Sequence, residues 1–506
     1  MRLEDLKSEL SNRKQLTENG AVGYATSGKE LLDMNYQVSS MRNYEEEQII
    51  DLFNKAFFEN KLLAMKWLFF LRDVRGGLGE RRSFRIIYDY LAKQYPDIAE
   101  AVMSLVPDYG RFDDLWSLLD TDLKDSLIKF IKMRLSIDSD RMIKGYDISL
   151  LAKWLPSATT SSKESRRYAS IIYNGLGISK TEYRVLLKSL RNYINVVGSK
   201  ISRNEWSDVD YCTVPSRANL LYKDAFMRHD KERRQEYLDN LSRGIGKING
   251  STNYPHDIVH KYLKNVYWWA TNVKFDESLE QLWKNLPDYG ELSDGCIVVA
   301  DGSGSMTSTV GNSSLSALEI ANSLAIYYSE RLSGEFHDKY ITFSENPKLV
   351  DLSQCKNLRD KIIQARKHDE CANTNIYRVF KLILNVGVKN AYTQDQMPKT
   401  IMILSDMEFD YGAEGWDESL FEKISKEYEK HGYKLPRLVF WNICGRTNTI
   451  PIKENELGVA LVSGFSPAIT DMVLSGELDP YKCLVNKLNT SRYKAVEEAL
   501  EEIHLV

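Results

Sequence analysis

The apolar run Cys296-Ile-Val-Val-Ala300 leads straight into Asp301-Gly-Ser303-Gly-Ser305-Met306, so a carboxylate and two hydroxyls leave the carboxyl end of a buried strand together. Open α/β sheets bind their ligands at that edge. Glycines at 302 and 304 permit a tight loop that turns Asp301, Ser303 and Ser305 toward one point. Such a set suits a hard, oxygen-seeking cation: Mg²⁺ asks for near-octahedral oxygen coordination, keeps several waters and is usually held by one or two carboxylates. Mg²⁺, or another divalent ion such as Mn²⁺, is therefore the expected cofactor, in a cage open enough to admit a ligand oxygen. Two more pieces stand in suitable places: Asn373-Thr374-Asn375 just before a helical pattern, and Asp406 at the end of the apolar run Ile401-Met-Ile-Leu-Ser405. The plainer alternatives are a glycine-rich turn capping the next helix for Asp301 and its serines, and a simple turn former for Asp406.

Several enzyme chemistries do not fit. There is no G-x-x-x-x-G-K-[ST] phosphate loop, and Gly302-Ser-Gly304 lacks the third glycine of a dinucleotide fingerprint. Neither serine sits in G-x-S-x-G. His256 and His260 are four apart on an expected helix, but H-E-x-x-H is unmatched and no third ligand stands near in sequence, so an ordinary helical pair is the reading.

A second chemistry is suggested by residues 151–204, which hold 10 Lys and Arg against 2 acids. Lys153, Arg166, Arg167, Arg184, Lys188 and Arg191 are the candidate nucleic-acid contacts, because cations neutralise phosphates and the interleaved Trp154, Tyr168, Tyr173, Tyr183 and Tyr193 could stack on unpaired bases. Arg184, Lys188 and Arg191 would share one helix face. The alternative is a solvated helical face with half-buried tyrosines, or a face that meets an acidic partner domain.

The elements that must position these residues change character along the chain. From about Tyr44 to Asn285 apolar residues recur at three- and four-residue steps, as in Ile49, Leu52, Phe53, Ala56 and Phe57, and proline is sparse. Arg72-Asp-Val-Arg-Gly-Gly-Leu-Gly-Glu80 reads as a helix–helix corner. The expectation is an all-α solenoid or irregular bundle of HEAT-like kind, without a demonstrable repeat period. Beyond Leu286 to Asp294, short β-rich runs (Cys296–Ala300, Lys339–Phe343, Thr400–Leu404, Arg437–Ile443, Gly458–Val462) alternate with helical stretches, which predicts a doubly wound, mostly parallel sheet. Domains are therefore expected over 1–290 and 291–506.

The length of 506 residues and ordinary composition suit a multidomain globular chain. Residues 1–290 carry 44 basic against 40 acidic residues and 291–506 carry 23 against 31, so the halves differ in sign. Six scattered cysteines form no C-x-x-C pair, and the first residues show no apolar leader, so a reducing, cytoplasmic location and no membrane association are expected.

Asp301, Ser303, Ser305, Thr374 and Asp406 match, without substitution, the D-x-S-x-S, Thr and Asp signature of the metal-ion-dependent adhesion site in von Willebrand factor A domains, which the C-terminal part resembles. That resemblance implies that Ser303, Ser305 and Thr374 coordinate directly, that Asp301 and Asp406 act directly or through water, and that Glu408 could accept in an outer shell. The chain also resembles, over most of residues 25–490, a family of unknown function found in plants, fungi, bacteria and large DNA viruses. It does so through Phe70-Leu-Arg-Asp-Val-Arg-Gly-Gly-Leu-Gly-Glu-Arg81, Val106-Pro-Asp-Tyr-Gly-Arg-Phe-Asp-Asp-Leu-Trp116, Leu151-Ala-Lys-Trp-Leu-Pro156, Tyr183-Arg-Val-Leu-Leu-Lys-Ser-Leu-Arg191, Leu404-Ser-Asp-Met-Glu-Phe409, Leu435-Pro-Arg-Leu-Val-Phe-Trp-Asn442 and Val462-Ser-Gly-Phe-Ser-Pro467. In architecture it is similar to the Ro autoantigen, or TROVE, proteins, in which helical repeats bind small noncoding and misfolded RNAs. These likenesses imply a non-enzymatic scaffold that binds small noncoding or structured RNA and carries a Mg²⁺-dependent A domain. The alternative is a metal-dependent protein-interaction module whose partner offers a carboxylate; a metal-assisted nuclease would need a larger carboxylate cluster and a base.

Overall fold

The computed structural model describes residues 14–16, 22–24, 26–264, 266, 272–288, 295–311, 313–368, 375–407, 418–445, 459–470, 472 and 479–503. The chain gathers into two compact units, Met1–Glu59 with Gly250–Lys487, and Asn60–Asn249 with Leu488–Val506. A single division near residue 290 marks where the sequence pattern changes, but the packing does not follow it. Helices before that point, Glu30–Tyr36, Glu46–Glu59, Pro255–Leu263 and Glu277–Lys284, belong with the sheet.

In the first unit, β1 (Lys14–Leu16) and β2 (Val22–Tyr24) form a short antiparallel ladder. The main sheet has six strands: β3 (Cys296–Asp301), β4 (Lys339–Phe343), β5 (Leu349–Asp351), β6 (Thr400–Ser405), β7 (Arg437–Asn442) and β8 (Val459–Ser463), in the order β5-β4-β3-β6-β7-β8. All neighbours are parallel except β4 and β5. β5, like β1 and β2 in the half expected to be all-α, is three residues long, too short for a periodicity to show in the sequence. Every residue of β3 is buried. Successive side chains of a strand point to opposite faces, so burial of all of them means that both faces are covered, as the continuous apolar run implies. The chain runs from β3 outward to β4 on one side and later enters β6 on the other, which makes the gap between the ends of β3 and β6 the topological switch point of the sheet.

The helix Ala317–Ser329 packs on β3, β4 and β6 and is buried at eleven of its positions, Ala317, Ile320 through Ser329 among them. Its start is set by a capping box, in which Glu319 N–H donates to Ser316 Oγ (3.2 Å) and Ser316 N–H to Glu319 Oε2 (2.9 Å). Asn375 caps the helix Ile376–Lys389 by accepting from Arg378 N–H at 3.0 Å.

The second unit is helical, with the helices Lys61–Arg72, Arg82–Gln94, Lys124–Ile143, Lys163–Gly175, Lys180–Tyr193, Ser216–His229 and Lys231–Ser242 as its longest members. The expected corner after Arg72 folds back on its own helix: Leu78 N–H donates to Phe70 O and Glu80 N–H to Leu71 O. A Cβ on Gly77 would lie 2.0 Å from Phe70 O, so only glycine fits there. Asp114 ties this corner down. Fully buried, it accepts from Arg72 Nε (2.8 Å), Arg85 Nε (2.7 Å) and Arg111 N–H (3.0 Å). The tail returns to the same place, with Arg492 bridging Asp73 at 2.8 and 2.9 Å and Lys66 meeting Glu497 at 2.7 Å.

Removing one partner of a buried ion pair strands the other charge, at a cost of about 3–5 kcal/mol. Asp114→Ala is therefore expected to destabilise the second unit by that amount in chemical denaturation. A loss below about 1 kcal/mol would mean that Arg72 finds other compensation.

Candidate metal centre

β3 and β6 pair with Ala300 beside Leu404, which brings Asp301 and Ser405 side by side at the carboxyl edge. Asp301 is 2% exposed and Asp406 1%. Ser405 Oγ donates to Asp301 Oδ2 at 2.5 Å, and Ser303 N–H donates to Asp301 Oδ1 at 2.9 Å, so the carboxylate is held by both neighbouring elements. The Asp301 loop closes through a 3₁₀ turn, Gly304–Thr307, anchored by fully buried Met306. There Ser303 Oγ and Ser305 Oγ lie 2.9 Å apart, half-buried and close enough to share one ion. The structure thus brings together Asp301, Ser303, Ser305 and the Asp406 corner. Thr374 and Glu408 lie outside the described residues.

Burial and the charge of Asp406 raise the pKa of Asp301, against the opposing effect of the hydrogen bonds from Ser405 and Ser303. Two carboxylates are thus set near each other in a dry place where an added positive charge is favourable. Met407, immediately after Asp406, takes a left-handed φ of 63° while 3% exposed, and its N–H donates to Ser405 Oγ at 3.0 Å. A buried non-glycine residue in this region costs roughly 1–3 kcal/mol and recurs at functional corners. Among the described residues no three of His, Cys, Asp and Glu converge on a point, so a cation here would find two carboxylates supplemented by hydroxyls.

Ser405 is the participant that sequence reading leaves unassigned; its position between an apolar strand and Asp406 is the available signal. A second group lies at the ends of β7 and β8. Asn442 Oδ1 accepts from Ser39 Oγ (3.0 Å) and Gly445 N–H (2.7 Å), its Nδ2 donates to Tyr36 O (3.1 Å), and Ser39 N–H donates to Ser463 Oγ (3.2 Å). Residues 36–40 therefore cover that part of the edge. His260 Nδ1 lies 3.1 Å from Glu319 Oε1 and its Nε2 3.2 Å from Ser314 Oγ, an ordinary structural use of the ring.

The basic stretch of the second unit is divided in its uses. Arg191 is half-buried and donates to Ala152 O, Leu155 O and Ser157 Oγ. Arg166 donates to Thr160 O and Ser161 O. Arg167 forms a bidentate pair with Asp120 at 2.5 and 2.7 Å. Lys153 is partly buried, 5.0 Å over the Trp154 ring that Arg111 also covers. Arg184 and Lys188 stand exposed on Lys180–Tyr193, one turn apart. Of the aromatic residues, Tyr183 is buried and donates to Pro156 O, whereas Tyr193 is 38% exposed.

Two family models match the chain. Residues 17–139 and 176–288 match "Domain of unknown function (DUF2828)", and residues 295–502 match "Domain of unknown function (DUF7788)". The chain is 28% identical over 513 residues to an uncharacterized protein of Acanthamoeba polyphaga mimivirus, covering 93% of this chain and 86% of the relative. The crystal structure of the Ro (RSR) protein of Deinococcus radiodurans is a distant structural neighbour, with a TM-score of 0.46 and 12% identity over 87% of this chain and 93% of that one. Among the described residues no helix is long and apolar enough to cross a membrane.

The raised pKa of Asp301 has a stability consequence. The folded chain keeps this proton at a pH where the unfolded chain has lost it, so in metal-free buffer stability falls as pH rises from the ordinary carboxylate range toward neutrality. Denaturation in chelator at about pH 5 and about pH 7.5 should show that loss, and Asp301→Asn should flatten it. An unchanged slope in the variant would remove Asp301 as its source.

Proposed function

We propose that residues 291–506 form a von Willebrand factor A-type domain that binds one divalent cation, Mg²⁺, at a metal-ion-dependent adhesion site and presents it to a ligand, with no catalytic role. The observation that carries this reading is the pair of buried acids, Asp301 and Asp406, at the sheet's switch point, with Ser303 and Ser305 hydroxyls 2.9 Å apart beside them. Asp301, Ser303, Ser305 and Asp406, joined by Thr374, would hold the ion. Their donor set fits it: oxygen donors throughout, few carboxylates, and too few protein ligands to fill an octahedron. The bound ion would supply a positive charge that accepts an oxygen of a carboxylate or phosphate. The protein's own part is to fix the cage, with Ser405 and Ser303 N–H orienting Asp301. A ligand that binds only the folded, loaded form stabilises it by mass action. Saturating Mg²⁺ should accordingly raise the melting temperature of the parent chain, and Asp301→Ala and Ser303→Ala should abolish the rise; equal rises in all three would contradict the assignment.

The second reading concerns the helical unit, which we infer binds small noncoding or structured RNA, so that the whole chain is a Ro-like scaffold. What favours it is the pair Arg184 and Lys188, exposed one turn apart on the helix Lys180–Tyr193, where cations can neutralise phosphates. The competing reading is a protein-interaction module whose partner's Asp or Glu meets the ion. Gel shifts with a small structured RNA should show weaker binding for Arg184→Glu with Lys188→Glu, and a salt slope smaller by about 2. Equal affinity and slope for parent and variant would remove the RNA reading in favour of the protein partner.

A further inference from the structure

The second unit contains a cleft of about 500 Å³ between the 153–157 segment, the end of the helix Lys180–Tyr193 and the short helix Val197–Ser202. Three cations, Lys153, Arg191 and Arg203, and three hydroxyls, Ser157, Ser199 and Ser202, line it, and among the described residues no carboxylate does. Asn195 and Asn204, with φ of 58° and 59°, make the tight turns that bracket Val197–Ser202.

Two of the three charges, Lys153 and Arg191, meet no carboxylate partner among the described residues. Arg191 is fixed by two backbone carbonyls and Ser157 Oγ, at 2.6 to 2.9 Å. These acceptors orient the guanidinium but are neutral, and they use three of its five N–H groups. Lys153 makes no hydrogen bond or ion pair among the described residues; its Nζ sits 5.0 Å over Trp154, and Arg111 lies 4.2 Å over the same ring. Asp113, the acid whose field reaches Lys153, is already engaged by Arg85 and Arg111, each at 2.9 Å. Burial, then the charge of Arg111, lowers the Lys153 pKa, and burial lowers that of Arg191. Arg203, by contrast, is paired with Glu205 through both carboxylate oxygens, each at 2.8 Å. A half-buried ammonium and an oriented guanidinium, facing hydroxyl donors across a cleft, are the equipment for an oxyanion with several acceptor atoms.

We propose that this cleft is a phosphate-binding site, in which Lys153 and Arg191 neutralise a phosphate ester while Ser157 and Ser199 donate to its oxygens. The inference requires neither the metal centre nor the exposed Arg184 and Lys188 face. A mononucleotide and a phosphodiester of an RNA strand share this chemistry, the tetrahedral oxyanion, and the probes below separate the two sources.

Calorimetric titration of the full chain at constant ionic strength tests it, with inorganic phosphate, adenosine monophosphate and a short oligouridylate lacking terminal phosphates as probes. Saturable phosphate binding is expected, weakened about tenfold by Lys153→Met. That variant keeps the apolar stem and removes no hydrogen bond, so its melting profile should match the parent; Ser199→Ala serves as a second, smaller perturbation. Phosphate should compete with the tighter of the two other probes: the monophosphate if the source is a nucleotide, the oligonucleotide if it is a strand. Absence of saturable heat with every probe, or equal affinity in parent and Lys153→Met, overturns the proposal.

Discussion

Two carboxylates at the ends of neighbouring parallel strands, both shut away from water, are the constraint around which the sheet-bearing unit is arranged. Asp301 and Asp406 sit there because the register of β3 on β6 brings the two strand ends to the same edge. Like charges in a dry site are costly. The surroundings answer in part: Ser405 Oγ and Ser303 N–H donate to Asp301. The rest of the cost is what the proposed cation would relieve; the hydroxyls of Ser303 and Ser305 lie 2.9 Å apart on the Asp301 loop.

The grouping of Asp301, Ser303, Ser305 and Asp406 at one sheet edge is legible in sequence because each piece is local. An apolar strand, a glycine-spaced Asp and serines, and a second strand ending in Asp are short patterns, and the parallel sheet places such ends on one edge. What escaped reading depends on pairing between distant segments. Residues 36–40 cap β7 and β8 through Asn442 and Ser463, contacts more than four hundred residues apart in sequence. No periodicity encodes that, nor the return of Leu488–Val506 to the helical unit, where Arg492 meets Asp73. The three-residue β5 is too short to alternate visibly. The observed helices that frame the sheet begin at capping residues such as Ser316 and Asn375, which the sequence displays openly.

Two of the segments behind the wider family resemblance prove to be structural. Phe70 to Arg81 and Val106 to Trp116 meet through Arg72, Asp114 and the backbone bond from Val74 N–H to Tyr109 O. Their conspicuous charges are consumed in holding helices together. The same lesson divides the basic stretch: composition grouped ten cations, but Arg166, Arg167 and Arg191 are committed to carbonyls, a hydroxyl and Asp120. Net charge reports how many cations a segment has, while hydrogen bonding decides how many remain available to a ligand. Arg184 and Lys188 remain on the outer face, and Lys153 in the cleft.

The claim on which most of this rests is that a divalent ion belongs beside Asp301. Crystals of the full chain grown with Mn²⁺ and measured at the manganese edge test it directly. The account requires an anomalous peak about 2.0–2.2 Å from oxygens of the Asp301, Ser303 and Ser305 set. Manganese bound elsewhere, with Asp301 and Asp406 left to their present hydrogen bonds, would contradict it.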